Sequence, residues 1–200
     1  MSLNNRTVVI IGAAGELGSV LARDLASQGA NLALVGREQT KLDALAASLG
    51  LPPDRYLAQV ADLLDQQAAQ AAVEAMQARF GRVDIVLHLI GGWTGGKTLS
   101  EMPAADLEGM LNQHIWTTFN VAQSFVPALV RNGWRRMLII SSPTANQAKA
   151  NSGAYAIAKA GQEALMLTLA QELLGSGVTA NVLVVRTIDI KRKKSVPALR

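Results

Sequence analysis

The hydrophobic pattern alternates along the chain between short continuous apolar runs and longer segments with helical spacing. Residues 8–11 are apolar and β-branched in succession, which is typical of a parallel strand buried on both faces. Residues 38–49 instead place Leu42, Leu45 and Leu49 on one face, as in an amphipathic helix. The pattern predicts strands over residues 8–11, 30–36, 56–60, 83–90, 136–142 and 178–185, and helices over 18–29, 38–49, 65–79, 103–129 and 154–174.

This alternation predicts an α/β fold: a Rossmann-type doubly wound parallel sheet, flanked by helices on both faces and joined by right-handed crossovers. We find no linker or internal repeat, so residues 1–200 are predicted to form a single domain. The helix predicted over 103–129 is longer and more apolar than one sheet face requires. We therefore expect it to face a second subunit as well.

The first predicted strand runs directly into a turn with glycines at positions 12, 15 and 18. Gly12 allows a sharp turn, Gly15 lets a phosphate approach the backbone, and Gly18 lets the following helix pack closely. The free N–H groups of a helix N-terminus attract a pyrophosphate. The context of strand, turn and helix favours a dinucleotide site, although a structural turn without a ligand has the same pattern.

The second predicted strand ends in Gly36-Arg37, without the Asp or Glu that usually binds the adenosine ribose of NAD. The nearest acid is Glu38, one residue further on. A guanidinium at position 37 is suited to a 2′-phosphate, so we predict NADP(H), with NAD as the alternative. The other interpretation of Arg37 is a solvated loop charge.

Composition narrows the class of protein. Half of the 200 residues are apolar, which suits one domain with a sizeable core. The absence of cysteine excludes disulfides and thiolate chemistry. The two histidines are far apart in the sequence, so we expect no metal site. No apolar run approaches the roughly 18 residues that span a bilayer, and no secretory signal pattern opens the sequence. We therefore expect a cytoplasmic protein with no membrane partner.

The net charge is +4 and the isoelectric point about 9.7, in part because of the basic run at 191–194. Basic runs can bind nucleic acid, but only 4% of residues are aromatic and no stacking pattern accompanies the charges. We favour a solvated tail, or a loop near an anionic cofactor, and predict no nucleic-acid partner.

Tyr155 and Lys159 lie four residues apart in a predicted helix and so share a face. A lysine ammonium stabilises a neighbouring phenolate, which makes the phenol an effective proton donor or acceptor for alcohol–carbonyl chemistry. Ser142, at the predicted end of the preceding strand, offers a hydroxyl for the substrate oxygen. A surface helix pair is the simpler interpretation of Tyr155 and Lys159, but the preceding serine and the dinucleotide turn favour catalysis.

Together these motifs resemble the short-chain dehydrogenase/reductase family over about residues 6–190. The resemblance implies that Ser142, Tyr155 and Lys159 form the catalytic core, with Lys159 also bonding the nicotinamide ribose. It places Asp62 and Leu63 at the adenine, although Asp62 is equally suited to cap the next helix. It also implies a homodimer or homotetramer, paired through the helices that follow Asp106 and that carry Tyr155.

The sequence departs from the family pattern in the turn and after the fourth strand. Ile11 and Glu16 replace the usual threonine and middle glycine, although Gly15 gives the spacing of atypical members. The Asn-Asn-Ala-Gly motif is replaced by residues 88–91, His-Leu-Ile-Gly. Glycines at 91, 92, 95 and 96 then indicate a flexible loop or a close approach to a ligand.

Two further departures concern the active site. The family's active-site asparagine aligns with His114, whereas Asn112 would point elsewhere on the helix. His114 is suited to replace that asparagine in a proton relay, and is equally compatible with a histidine bonded to the backbone. Val185-Arg186 replaces the usual Pro-Gly, and the sequence ends at Arg200 without the family's substrate-covering segment and seventh strand. That part is either truncated from this sequence or lost, so the resemblance does not extend to closure over the substrate.

From these features we predict an NADP(H)-dependent oxidoreductase that interconverts a carbonyl and a secondary alcohol, with Tyr155 as acid/base. The alternative is a non-catalytic dinucleotide-binding sensor or scaffold. The predicted catalytic residues are Ser142, Tyr155, Lys159 and His114. The predicted cofactor-binding residues are Gly12, Ala14, Gly15, Leu17, Gly18, Arg37, Asp62, Leu63, Ile90, Gly91, Tyr155 and Lys159.

Overall fold

The computed structural model describes residues 3–131 and 133–189. All six strands of this part of the chain form one parallel sheet in the order β3-β2-β1-β4-β5-β6. The strands are β1 (Thr7–Ile11), β2 (Asn31–Gly36), β3 (Tyr56–Val60), β4 (Ile85–His88), β5 (Arg135–Ser141) and β6 (Val178–Val184). The helices are α1 (Glu16–Ser27), α2 (Gln39–Leu49), α3 (Gln66–Phe80), α4 (Ala104–Leu111), α5 (Thr117–Val130) and α6 (Gly153–Glu172).

Strand β1 shows why helices cover both faces of the sheet. Its residues are completely buried, and alternate side chains point to opposite faces. Val9 and Ile11 belong to the core formed with α3, α5 and α6. Val8 and Ile10 belong to the core formed with α1 and α2. The predicted doubly wound parallel sheet with helices on both faces is therefore confirmed.

The strand order reverses between β1 and β4. The chain proceeds from β1 through β2 to β3 at one edge, and α3 then returns it to β4 on the other side of β1. The connections that leave β1 and β4 therefore diverge to opposite sides, which opens a crevice at the carboxyl ends of these strands. Five predicted site residues follow strands at this same end: Gly12, Arg37, Asp62, Ile90 and Ser142.

The helix predicted over 103–129 is present, but it is not uniform. A π-helical turn, Asn112–Trp116, joins α4 to α5. The Thr117 hydroxyl donates to the Gln113 carbonyl (2.7 Å), and the Thr118 hydroxyl donates to the His114 carbonyl (2.6 Å). A π turn holds one more residue than an α turn, so it changes the direction in which neighbouring side chains point. The hydrophobic period alone does not reveal this insertion.

The bounds of two strands differ from the prediction. β4 is shorter at both ends, and β5 ends at Ser141 rather than at Ser142. Ser142 instead caps a single 3₁₀ turn, Pro143–Ala145, because its side-chain oxygen accepts a hydrogen bond from the Thr144 N–H (3.3 Å). The serine hydroxyl therefore lies just beyond the sheet rather than within it.

The interpretation of Asp62 as a helix cap is wrong. Asp65 caps α3, because its carboxylate accepts from the N–H groups of Gln67 (2.8 Å) and Ala68 (3.4 Å). The Asp62 carboxylate accepts from the Leu64 N–H (3.1 Å) within the loop, and Asp62 remains exposed. Asp62 is therefore open to a ligand at the carboxyl end of β3.

At the opposite, amino end of the sheet, the completely buried Asp84 joins three strands. Its carboxylate pairs with Arg6 (3.0 Å), Arg82 (2.6 Å) and Arg135 (3.0 Å), and accepts from the Thr7 N–H (2.9 Å). Burial by itself raises the pKa of Asp84. The hydrogen bonds and the neighbouring positive charges lower this pKa by a larger amount, so the net shift is downward. Asp84 is thus held as a carboxylate between the first residues of β1, β4 and β5.

Two expectations from the sequence concern a membrane-spanning helix and the basic run near the end of the chain. Among the helices of residues 3–131 and 133–189, none combines the length and apolar content needed to cross a membrane. The basic run at 191–194 lies outside the described residues.

Candidate active site

Two adjacent cavities open at the carboxyl edge of the sheet, with volumes of about 320 Å³ and about 670 Å³, and residues 89–91 form a wall of both. The smaller cavity is lined by all four predicted catalytic residues, Ser142, Tyr155, Lys159 and His114. Of the predicted cofactor-binding residues, Gly12, Ala14, Gly15, Arg37, Asp62 and Leu63 line the larger cavity, Leu17, Tyr155 and Lys159 the smaller, and Ile90 and Gly91 both; Gly18 lines neither.

The glycine turn has the geometry that its sequence requires. Gly12 has φ +82°, a backbone conformation that residues with a side chain rarely adopt, and it turns the chain sharply after β1. A Cβ atom at Gly18 would lie 2.4 Å from the Gly12 carbonyl oxygen, so only glycine permits this packing. Gly15 precedes α1 without a side-chain cap, which leaves the first N–H groups of the helix available. These features fit the pyrophosphate of a dinucleotide.

The charged side chains of the larger cavity next to the end of β2 favour a ligand with an anionic group there. Glu38 pairs with Lys41 (2.7 Å between Nζ and Oε1), and both side chains are exposed. Arg37 is exposed and makes no hydrogen bond or ion pair with any described residue. The guanidinium of Arg37 is therefore available to a ligand, whereas the Glu38 carboxylate is engaged by Lys41.

Ser142 and Tyr155 present hydroxyl groups to the smaller cavity. The Ser142 hydroxyl contacts the Thr144 hydroxyl at 3.2 Å, a long hydrogen bond that a substrate oxygen could replace. Tyr155 is half-buried, and no described residue hydrogen-bonds its hydroxyl. Its ring contacts His114 edge-to-face, with the ring centroids 5.8 Å apart.

Lys159, four residues after Tyr155 on α6, is only 5% exposed, and its ammonium has two protein partners. It donates to the Ile140 carbonyl (2.8 Å) and to Oε1 of Gln162 (2.9 Å). Burial lowers the pKa of Lys159 to about 8, while the negative charge of Glu163 acts in the opposite direction. The ammonium has three N–H groups, so one remains for a ligand in the cavity.

His114 combines both predicted properties: it contacts the backbone and lines the cavity. Its Nε2 lies 3.1 Å from the Gly92 carbonyl, so Nε2 carries the proton and Nδ1 is unprotonated. Nδ1 is buried and has no hydrogen-bond partner among the described residues. Burial and the charge of Lys159 lower the pKa of His114 to about 4. A Cβ atom at Gly91 would lie 3.2 Å from this ring, which explains glycine at the start of the loop.

His88, which replaces the first asparagine of the family motif, is also held neutral. Its Nε2 contacts the hydroxyls of Thr118 (2.9 Å) and Thr117 (3.4 Å). Complete burial, together with the positive charge of Lys159, lowers the pKa of His88 to about 3, and a proton on His114 would act in the same direction. Histidine therefore occupies this position as a neutral hydrogen-bonding group.

The two histidines predict acid sensitivity. In the unfolded chain both titrate near 6.5, so the stability conferred by the neutral rings is complete above that pH and is lost as the pH falls toward about 4. Between pH 6.5 and 5 we expect the free energy of unfolding to fall by about 3 kcal/mol, at up to about 1.4 kcal/mol per pH unit for each histidine. Urea titrations at several pH values measure this change. A His88→Asn variant should show about half the slope, and a flat profile in the wild type would contradict the assignment.

Sequence reasoning missed three polar residues that surround the lysine. Gln162 and Thr118 connect Lys159 to His88, and Glu163 accepts hydrogen bonds from the Ser141 hydroxyl and from Nδ2 of Asn146 (2.9 Å). Gln162 and Glu163 are buried on a helix whose other buried residues are mostly apolar. Polar residues on the core-facing stripe are the signal that would have identified them.

Comparison with known proteins agrees with this arrangement. Residues 6–198 match the model of the short chain dehydrogenase family. The chain is 31% identical over 182 residues to the oxidoreductase UcpA of Salmonella typhimurium. This match covers 90% of the chain and 68% of UcpA. It is 28% identical over 186 residues to (2S)-[(R)-hydroxy(phenyl)methyl]succinyl-CoA dehydrogenase subunit BbsC of Thauera aromatica, covering 93% of this chain and 74% of BbsC.

A solved structure is also similar. A protein from Pseudomonas syringae, described as a short chain dehydrogenase, superposes with a TM-score of 0.84 at 29% identity, and the match covers 90% of this chain and 76% of that chain. The family match, the relatives and the sheet order agree with one another. The chain belongs to the short-chain dehydrogenase family and is therefore an NAD(P)-dependent oxidoreductase of alcohols and carbonyls.

Proposed function

We propose that this protein reduces a carbonyl to a secondary alcohol, and oxidises the alcohol in reverse, with NADP(H) as cofactor and Tyr155 as the acid/base. One observation carries the proposal. Ser142, Tyr155, Lys159 and His114 line a single cavity that shares the wall at 89–91 with the larger cavity beside the glycine turn. A proton donor and a cofactor site thus lie side by side, as hydride transfer to a carbonyl requires.

Each residue has a role that follows from its surroundings. When bound, the nicotinamide supplies or accepts the hydride. The Ser142 hydroxyl orients the substrate oxygen, and the Tyr155 hydroxyl gives that oxygen its proton during reduction. The Lys159 ammonium stabilises the resulting phenolate and uses its remaining N–H to hold the cofactor ribose. The unprotonated Nδ1 of His114 is a hydrogen-bond acceptor beside Tyr155 and takes the place of the family's asparagine.

A carbonyl panel tests the proposed reaction. The purified protein is incubated with NADPH and small ketones and aldehydes that differ in size and charge, and nicotinamide absorbance is followed. We expect oxidation of NADPH with at least one member of the panel, and formation of the matching alcohol. Binding of NADPH without turnover of any member would favour a dinucleotide-binding sensor.

Preference for NADP(H) is assigned to Arg37. We expect Arg37→Ala to weaken NADPH binding by roughly tenfold to a hundredfold, because a charge-assisted contact to the 2′-phosphate is lost, and to leave NADH binding unchanged. Fluorescence titration with each nucleotide measures this change. Arg23→Ala, which removes an exposed cation from α1 outside both cavities, is the matched control. Equal NADPH affinity in Arg37→Ala and the wild type would rule out this role.

The remaining predictions concern organisation. We propose that residues 1–200 act as a single dinucleotide-binding domain in the cytoplasm, and that copies of the chain form a homodimer or homotetramer. Exposed apolar residues on the two long helices support the oligomer: Trp116 and Phe119 form an edge-to-face pair and are 53% and 40% exposed, and Leu167 on α6 is 61% exposed. We propose no nucleic-acid or membrane partner.

A further inference from the structure

A buried chain of hydrogen bonds extends from Lys159 away from the cavity. Oε1 of Gln162 accepts from the Lys159 ammonium (2.9 Å), and Nε2 of Gln162 donates to the Thr118 hydroxyl oxygen (2.8 Å). The same oxygen lies 2.9 Å from Nε2 of His88. Gln162 is 1% exposed, and Thr118 is completely buried. The chain thus connects α6 through α5 to the end of β4.

Donor and acceptor chemistry allows only one arrangement of this chain. An ammonium can only donate, so the oxygen of the Gln162 amide must face Lys159, and its nitrogen must face Thr118. Thr118 donates its hydrogen to the His114 carbonyl, which leaves its oxygen to accept from both Gln162 and His88. Nε2 of His88 is therefore protonated, in agreement with its neutral state. Each bond fixes the orientation of the next.

The arrangement determines how the buried ammonium is supported. Two of its N–H groups are taken by the Ile140 carbonyl and Gln162. Among the described residues, the other ionisable groups around it are Tyr155 and Glu163 on the same helix, His114 on the π turn, His88 at the end of β4, and Arg186, which follows β6 and lines the same cavity. Both histidines are neutral, and Glu163 is bonded to Ser141 and Asn146 rather than to the lysine. Gln162 is thus the side chain that bonds the ammonium directly.

We propose that Gln162 is a positioning residue, which holds the Lys159 ammonium in its charged form and directs its free N–H into the cavity. The inference rests on the proposed function, because it concerns the lysine to which that function assigns phenolate stabilisation. Thr118 and His88 lock the amide in the orientation that accepts from lysine. This gives the histidine at position 88 a physical role: its ring reaches the Thr118 hydroxyl and secures the far end of the chain.

The first test measures the pKa of Lys159 without relying on activity. In protein labelled with isotopic lysine, the chemical shift of the Lys159 ε-carbon is followed against pH and assigned with Lys159→Arg. Gln162→Met keeps the length of the side chain but removes the acceptor. We expect Gln162→Met to lower the pKa of Lys159 by about 1–2 pH units, because one charge-assisted hydrogen bond is lost. Gln171→Leu, an exposed change on the same helix, should have no effect.

The outcome decides the proposal in either direction. An unchanged Lys159 pKa in folded Gln162→Met would overturn it. If that variant fails to fold, Gln162→Glu is decisive, since a carboxylate at the same position should raise the pKa of Lys159 by one or more, and an unchanged value would again overturn the proposal. Circular dichroism establishes whether each variant is folded.

Kinetics then separate positioning from general structural damage. With a substrate from the carbonyl panel, we expect Gln162→Met to lower kcat by about tenfold near pH 8 and much less near pH 6, because the lysine loses its proton at a lower pH. A loss that is equal at every pH would overturn the role in positioning charge. If the wild type neither binds NADPH nor reduces a carbonyl, the proposed function fails, whereas the pKa measurement still decides whether Gln162 holds Lys159.

Discussion

Replacing Tyr155 with phenylalanine is expected to lower kcat for carbonyl reduction by about 10²–10⁴-fold, the range contributed by a positioned general acid. The change removes one oxygen atom and keeps the ring, so the edge-to-face contact with His114 at 5.8 Å is preserved. No described residue hydrogen-bonds the Tyr155 hydroxyl, so its removal leaves no buried partner unsatisfied. The loss should therefore be chemical rather than structural.

Steady-state kinetics with NADPH and a carbonyl substrate measure this loss, and nucleotide titration provides the second observable. NADPH affinity should remain close to that of the wild type, because the glycine turn and Arg37 lie in the other cavity. Tyr56→Phe is the matched control, since Tyr56 begins β3 and lines neither cavity. Full activity in Tyr155→Phe would assign the proton transfer to another group.

The second large effect is expected far from the cavities. We expect Asp84→Ala to lower the free energy of unfolding by about 3–5 kcal/mol, because it leaves the buried Arg135 guanidinium without its counter-charge. Arg135 is most affected, since it is only 3% exposed, whereas Arg6 and Arg82 are partly exposed to solvent. The Thr7 N–H also loses its acceptor.

Urea denaturation of the wild type and the variant measures this difference. Equal m-values for the two proteins show that the folded and unfolded states are as compact in the variant as in the wild type. The control is Asp43→Ala, an exposed aspartate on α2 that accepts only from Gln39, and we expect a change within about 0.5 kcal/mol. A denaturation midpoint of Asp84→Ala equal to that of the wild type would show that the buried ion cluster contributes little.

The sheet was predictable because its strands carry a strong local signal. In β1, four successive apolar β-branched residues followed by Gly12 indicate both the buried strand and the sharp turn. The spacing of Tyr155 and Lys159 likewise indicates a shared helix face, and both residues line the same cavity. In each case neighbours in sequence determine the geometry.

Of the features that the sequence did not reveal, two are local departures from regular geometry and one depends on contacts between distant elements. The π turn at Asn112–Trp116 inserts a residue into a helix whose hydrophobic period hardly changes. Asp65 rather than Asp62 caps α3 because the Asp65 carboxylate reaches the N–H groups of Gln67 and Ala68. Gln162 acquires its role only when α5, α6 and β4 meet, since its partners are 44 residues away at Thr118 and three residues away at Lys159.

The most direct test of an NADP(H) site beside the catalytic cavity is a titration of the wild-type protein with NADPH and NADH, following nicotinamide fluorescence. We expect saturable binding of both nucleotides, with NADPH bound more tightly because Arg37 contacts the 2′-phosphate. Equal affinities would contradict the assignment of NADP(H). Absence of binding by either nucleotide would contradict the proposed oxidoreductase itself, because the larger cavity would then not be a cofactor site.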